Sequence, residues 1–102
     1  MSEQMKIERH FVAEMSIYKF GAINGLVMEV HERPMSENKN DRFYAHFKYA
    51  EVKGDGVLIG SFGNGISERV AIDSYAREIS EKTLVLNAGT PERRELLVPR
   101  LA

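Results

Sequence analysis

The stretch VLIGSFGNGISERVAIDSYAREISEKTLVLNA, residues 57–88, constrains the fold more than any other part of the chain. It reads as a strand, a glycine-rich turn, a helix and a second strand. Ser67 offers a side-chain oxygen as N-cap for a helix running to Ile79, and Glu68 puts negative charge in the first turn, where unpaired amides and the helix dipole favour it. Ala71, Ile72, Tyr75, Ala76 and Ile79 recur at helical spacing on one stripe. Arg69, Asp73, Ser74, Arg77 and Glu78 occupy the opposite side. A helix with one apolar face must bury it against another layer, so the neighbouring strands are expected to form the sheet it covers.

The remaining elements are read around that unit. Ile7, Phe11 and Met15 fall at i, i+4 and i+8, with Ser2 available as N-cap, which predicts a first helix over residues 3–15. The runs IYKFGAI and LVMEVHE flank Asn24-Gly25. Asn-Gly supplies the positive φ that a two-residue hairpin turn needs, so a hairpin is expected with Ile17, Lys19, Gly21 and Ile23 on one face. Residues 33–42 (RPMSENKNDR) have almost nothing to bury and read as a surface loop. In FYAHFKYAEV, residues 43–52, Phe43, Ala45, Phe47 and Tyr49 alternate with Tyr44, His46 and Lys48, the pattern of a strand with one covered face. Gly54-Asp55-Gly56 then turns it into VLIGSF as a second hairpin. Residues 83–88 read as a strand, and residues 94–98 as its partner in preference to a short helix.

Length and charge limit the function. A chain of 102 residues supports one modest core, burying about 60–70% of the surface its unfolded form exposes, so residues 1–102 are read as a single domain. Lys plus Arg number 14 against 15 Asp plus Glu, a net charge of -1, which disfavours a general nucleic-acid partner because no surplus positive field attracts phosphates. With no cysteine there are no disulfides, thiolate metal ligands or cysteine nucleophiles. Residues 1–11 intersperse charges where a signal peptide needs an apolar run, and no stretch is long and apolar enough to span a membrane, so a cytoplasmic protein is expected.

Four features carry possible chemistry. Gly60, Gly63 and Gly65 lie between a strand and a helix start, where amides and the helix dipole can hold a phosphate. No Gly-Lys-Ser or Gly-Lys-Thr ends the loop, and the dinucleotide fingerprint requires GxGxxG in a parallel βαβ unit. In the acetyltransferase pattern, Gly60 stands where Arg or Gln belongs. The glycines are therefore expected to turn the chain into the helix, with a left-handed or similarly restricted backbone at Gly63 or Gly65. His10, His31 and His46 sit on separate elements without HxxxH or HxH spacing; a zinc or catalytic cluster needs the fold to gather them, with Asp41 or Glu32 as acidic partner. Tyr44, His46 and Lys48 form an outward row that can stack bases or face a second layer. Arg93 and Arg94, with Arg100, form a small basic cluster beside Glu92 and Glu95. Tyr44, His46, Lys48, Arg93 and Arg94 are thus the candidate interaction surface, and no catalytic residue, metal ligand or cofactor is assigned.

Two resemblances rest on the central stretch. The strand ending at Gly63-Asn64-Gly65-Ile66-Ser67, followed by Ala71-Ile72 and Tyr75, resembles the sheet-to-helix segment of HicB-like antitoxin domains. Those proteins add a DNA-binding segment after the domain, and no second helix pair is legible here to supply one. The unit continuing through Lys82-Thr83-Leu84-Val85 and Arg93-Arg94-Glu95-Leu96 is also similar to uncharacterised small proteins of tailed phages and prophages, which brings no activity.

The expected architecture is α+β: an antiparallel sheet of four to six strands with helix 67–79 and an N-terminal helix packed on one face. The leading functional reading is a non-enzymatic protein-interaction module, a phage or prophage accessory protein that binds a host or toxin protein. The alternatives are a nucleic-acid-binding or antitoxin-like domain, and a small ligand-binding protein or enzyme using the Gly60–Gly65 turn. A homodimer through a sheet edge or outer face is expected from the long aromatic strand 43–52, taken as an edge that a second copy would cover.

Overall fold

In the computed structural model, which describes residues 14–34 and 38–102, the elements follow as β1 (Glu14–Met15), α1 (Ile17–Asn24), β2 (Met28–Glu32), a 3-10 turn (Lys39–Asp41), β3 (Phe43–Phe47), β4 (Ala50–Lys53), β5 (Leu58–Ile59), β6 (Gly63–Gly65), α2 (Glu68–Ile79), β7 (Thr83–Leu86), β8 (Arg94–Leu97) and β9 (Arg100–Leu101). This is a mixed α+β chain. Its strands are divided between a sheet ordered β2-β3-β6, a second ordered β5-β4-β7-β8, and a short parallel pair β1-β9. Every pairing within the two larger sheets is antiparallel. The helix expected over residues 3–15 falls on residues outside those described except for Glu14 and Met15, which pair in β1 with Arg100 and Leu101.

Helix α2 forms as its sequence dictates. Ser67 has extended backbone and its hydroxyl oxygen accepts from the Val70 amide, satisfying one of the donors a helix start leaves open. Ala71, Tyr75, Ala76 and Ile79 are buried and Ile72 is half-buried, so the expected stripe is the packed face. It covers β6, β3 and β2. Tyr75 meets Phe47 edge to face with ring centroids 5.6 Å apart, a geometry that adds about 1 kcal/mol to the area buried. Gly63 and Gly65 do not turn the chain. They belong to β6, neither has positive φ, and they are glycines because the strand passes directly beneath α2. A Cβ on Gly63 would stand 2.6 Å from Tyr75 Cα, and one on Gly65 would stand 2.7 Å from the Val70 carbonyl carbon.

The hairpin expected around Asn24-Gly25 is instead helix α1 with its C-cap. Ser16 caps the start, its Oγ accepting from Lys19 N at 3.0 Å. Gly25 adopts the left-handed conformation (φ 68°, ψ 32°), and its amide points back at the carbonyls of Ala22 and Gly21. The Asn-Gly pair therefore does supply positive φ, but at one residue, which ends a helix where two would be needed to close a hairpin. Ile17, Phe20 and Gly21 at helical spacing are buried, whereas Lys19 and Ile23, assigned to the same face by strand alternation, are exposed. Phe20 packs on Phe47 at 6.3 Å, so Phe47 is wedged between the two helices.

The aromatic stretch 43–52 is not one strand. It breaks at Lys48-Tyr49, where Tyr49 takes φ 65° and lies 67% exposed, not on the inward row with Phe43, Ala45 and Phe47. Lys48 N bonds Val27 O, and Tyr49 O accepts from Asn87 N, so the chain leaves the first sheet and enters the second within two residues. As a result β3 lies between β2 and β6, and β4 lies between β5 and β7. Neither half is an edge, which removes the reason given above for a dimer through that strand. The second hairpin is present, with Val52 opposite Ile59 and Lys53 opposite Leu58. Residues 94–97 are a strand, paired with β7.

Candidate outer-face and cleft site

With α2 covering one side of the β2-β3-β6 sheet, alternation turns Glu29, His31, Tyr44, His46 and Asn64 to the other. Register brings them together: His31 lies opposite Tyr44, Tyr44 opposite Asn64, and Glu29 opposite His46. Their rings are nearly parallel, with His31 and Tyr44 centroids 4.7 Å apart, His31 and His46 5.4 Å, and Tyr44 and His46 6.2 Å. Arg33 extends the row. Its guanidinium carbon sits 4.3 Å from the Tyr44 centroid and 5.6 Å from that of Phe62, and Nη1 donates both to Asp41 O at 2.7 Å and to Asn64 Oδ1 at 2.8 Å. A guanidinium fixed in this way is a rigid part of the row. The loop following β2 is tied as well: Arg33 N bonds Arg42 O, and Arg42 is held by Glu32 Oε2 at 2.6 Å from Nη2.

Beside this row the switch at Tyr49 leaves an open cleft of about 620 Å³ between the sheets, within the range of ligand sites. Tyr44, His46 and Phe62 form one wall, Tyr49, Ala50 and Glu51 another, and Asn87, Ala88 and Thr90 close an end; Gly60 and Ser61 complete the rim. The cleft lies away from the α2 N-terminus. The strand Gly63–Gly65, pressed against α2 and paired with β3, leaves no phosphate cradle on its helix-facing side.

Of the five residues singled out from the sequence, Tyr44 and His46 are central to this face. Lys48 leaves the row for the turn, its ammonium 5.1 Å from the Tyr49 ring. Arg93 and Arg94 adjoin or belong to the other sheet. Arg93 pairs with Glu95 at 3.0 Å, and Arg94 Nη2 donates to Asn24 O at 2.6 Å, tying β8 to the end of α1. Glu95 also meets Lys53 at 3.4 Å, and that hydrogen bond is the chief cause of a carboxyl held below its ordinary range. The basic cluster is thus engaged within the chain, Arg93 in an ion pair and Arg94 in a tie between β8 and α1.

Three contributors were missed. Phe62 and Arg33 reach the row from loops, where alternation gives no signal, and Glu29 reads as an ordinary outward residue of a strand. Glu29 is the acidic neighbour of His31 and His46, not Glu32 or Asp41; its Oε1 lies 3.6 Å from His31 Nε2 and 3.8 Å from His46 Nε2. His10 lies outside the described residues. No helix among the described residues is long and apolar enough to cross a membrane. Compared with known proteins, the chain matches no family model, no curated protein and no solved structure.

Proposed function

We propose that this chain is a non-enzymatic protein-interaction module, acting in the cytoplasm in a phage or prophage accessory role, and that its recognition surface is the cleft and the aromatic face beside it. The observation carrying this reading is that large aromatic side chains lining the cleft stand out of the protein: Tyr49 at 67% exposure and Phe62 at 47%. Rigid aromatic anchors beside a concave, partly polar surface are what protein recognition sites use to gather binding energy in a few residues. β5 is an edge strand carrying Ile59 and leading into Gly60, so an extended segment of a host or toxin protein can add to that edge and seat an apolar side chain in the cleft. The nucleic-acid alternative is weaker here. The stacked row has one guanidinium, already bonded to Asp41 and Asn64, and it carries Glu29 where a phosphate groove needs cations.

The test compares the wild type with a Tyr49→Ser, Phe62→Ser variant, both positions being exposed. Each is first sedimented across a range of micromolar concentrations, then used to capture partners from host lysate treated with nuclease. A monomer near 11.6 kDa that retains a discrete protein only when wild type supports the reading. Retention that requires intact nucleic acid overturns it, as does a captured set the double variant leaves unchanged. A concentration-dependent dimer lost in the variant assigns the face to a second copy instead.

A further inference from the structure

We propose that Glu29, His31 and His46 form a binding site for a divalent transition-metal ion of the zinc class. One donor atom from each of the three lies within 4.8 Å of the others. As a purely internal arrangement the cluster is poorly made: the Glu29 Oε1 separations of 3.6 and 3.8 Å from the two Nε2 atoms are beyond hydrogen-bond length, so the carboxylate bonds neither ring. Around an ion the same distances are close to right. Bonds of about 2.0–2.1 Å at tetrahedral angles place neighbouring donors roughly 3.3 Å apart, so the two Glu29 contacts need to shorten by only about 0.3–0.5 Å. His31 and His46 have ring centroids 5.4 Å apart with planes 15° from parallel, so joint coordination requires a ring to turn until both Nε2 lone pairs converge on the ion.

A second observation concerns the proton. His46 Nδ1 lies 3.1 Å from Phe47 O. A carbonyl oxygen only accepts, so Nδ1 carries the hydrogen and the lone pair of the neutral ring is on Nε2, the atom turned to Glu29. A ligating histidine characteristically has its other nitrogen fixed by such a carbonyl. The backbone is fixed as well, since β2 and β3 hold Glu29 opposite His46 in register. The side chains are 27–42% exposed, which gives an ion access and leaves coordination positions for water or a partner's side chain. Two imidazoles and one carboxylate select zinc, cobalt(II) or nickel(II) over calcium and magnesium, which prefer oxygen. Because His46 also walls the cleft, a bound ion lies next to the recognition surface, although the metal site does not depend on that reading.

The experiment uses the full chain, freed of metal by chelator, and titrates it with zinc by calorimetry and with cobalt(II) by visible absorption. One ion per chain is expected, with micromolar zinc affinity, a cobalt d–d band, and no response to magnesium or calcium. His31→Ala, His46→Ala and Glu29→Gln should each weaken zinc binding by at least about tenfold and bleach the cobalt band, since even ligand-supporting residues are worth that much. Glu32→Gln, whose carboxylate is held by Arg42, should change neither. His31, the most exposed of the three, gives the variant least able to disturb folding. Zinc binding undiminished in a His31→Ala, His46→Ala double variant overturns the proposal. So does no saturation at about 1 mM zinc.

Discussion

The contact between β6 and α2 leads to a prediction whose size can be worked from the structure. A Cβ added to Gly63 would lie 2.6 Å from Tyr75 Cα, and one added to Gly65 would lie 2.7 Å from the Val70 carbonyl carbon. Carbon atoms in contact sit about 3.5–4.0 Å apart, so either alanine requires strand and helix to separate by about 1 Å. When flexible side chains can yield, an overpacked core loses about 1–3 kcal/mol. Here the obstacles include helix backbone, and the separation would also loosen Tyr75 from Phe47. We therefore expect Gly63→Ala and Gly65→Ala to cost about 3 kcal/mol or more each, a large part of the about 5–15 kcal/mol that holds a typical domain folded. Gly60→Ala is the control: nothing lies within 4 Å of its Cβ position and its φ is not positive, so its effect should stay within about 0.5 kcal/mol. Urea unfolding followed by far-UV circular dichroism measures all three. A variant that fails to fold beside a normal Gly60→Ala is the same result in stronger form. Midpoints for Gly63→Ala and Gly60→Ala that coincide would refute the close packing, and a left-handed turn is no fallback because neither Gly63 nor Gly65 has positive φ.

Two further outcomes are expected. Phe47, 2% exposed and touching both Phe20 and Tyr75, should cost about 3–5 kcal/mol when replaced by alanine, half-buried Ile72 less, and solvent-facing Arg69 almost nothing; equal midpoints for Phe47→Ala and Arg69→Ala would remove Phe47 from the centre of the core. Burial pushes the Tyr75 hydroxyl above its ordinary 10.0, with a hydrogen bond to the Phe47 backbone opposing the shift. The folded state then holds that proton more tightly than the unfolded one, so the contribution is complete below pH 10 and is lost as pH rises past it. Thermal melts across the alkaline range should show this fall in the wild type and a flatter profile in Tyr75→Phe; identical slopes would contradict it.

How much of the fold the sequence revealed depends on where the decisive physics was local. Helix α2 was legible because its cap, first-turn charge and stripe all agree within thirteen residues, and residues 83–86 were legible as a strand from their apolar run, with 94–97 preferred as its partner over a short helix. The errors arose where one local signal serves two structures. Asn24-Gly25 fits a hairpin turn and a helix C-cap equally, and Ile17, Phe20 and Gly21 decide for the helix only once Phe47 is known to pack on Phe20 and to lie against Gly21. Gly63 and Gly65 were read as conformational glycines, although their reason is a helix lying over them, which no pattern within residues 60–67 encodes. Alternation correctly predicted Ala45 and Phe47 as buried and failed at Tyr49, because the left-handed residue that switches sheets is held by Asn87, 38 positions later in the chain.

The candidate site depends still more on pairings that the linear pattern does not contain. Tyr44 and His46 were identified as an outward row from their own strand. Their meaning comes from β2: register sets Glu29 against His46 and His31 against Tyr44, and turns two histidines without any metal-binding spacing into neighbours with one carboxylate within 4 Å of both. A slip of one residue would send Glu29 and His31 to the covered face, so the cluster exists only while Met28 remains opposite Phe47, whose ring is wedged between α1 and α2. The buried contacts of Phe47 thus hold the outer face in register. That coupling argues for reading every outer-face substitution beside a measure of stability. A core change at Phe47 should abolish metal binding through loss of register, whereas His31→Ala should weaken it by at least about tenfold in a protein that still unfolds at the wild-type midpoint.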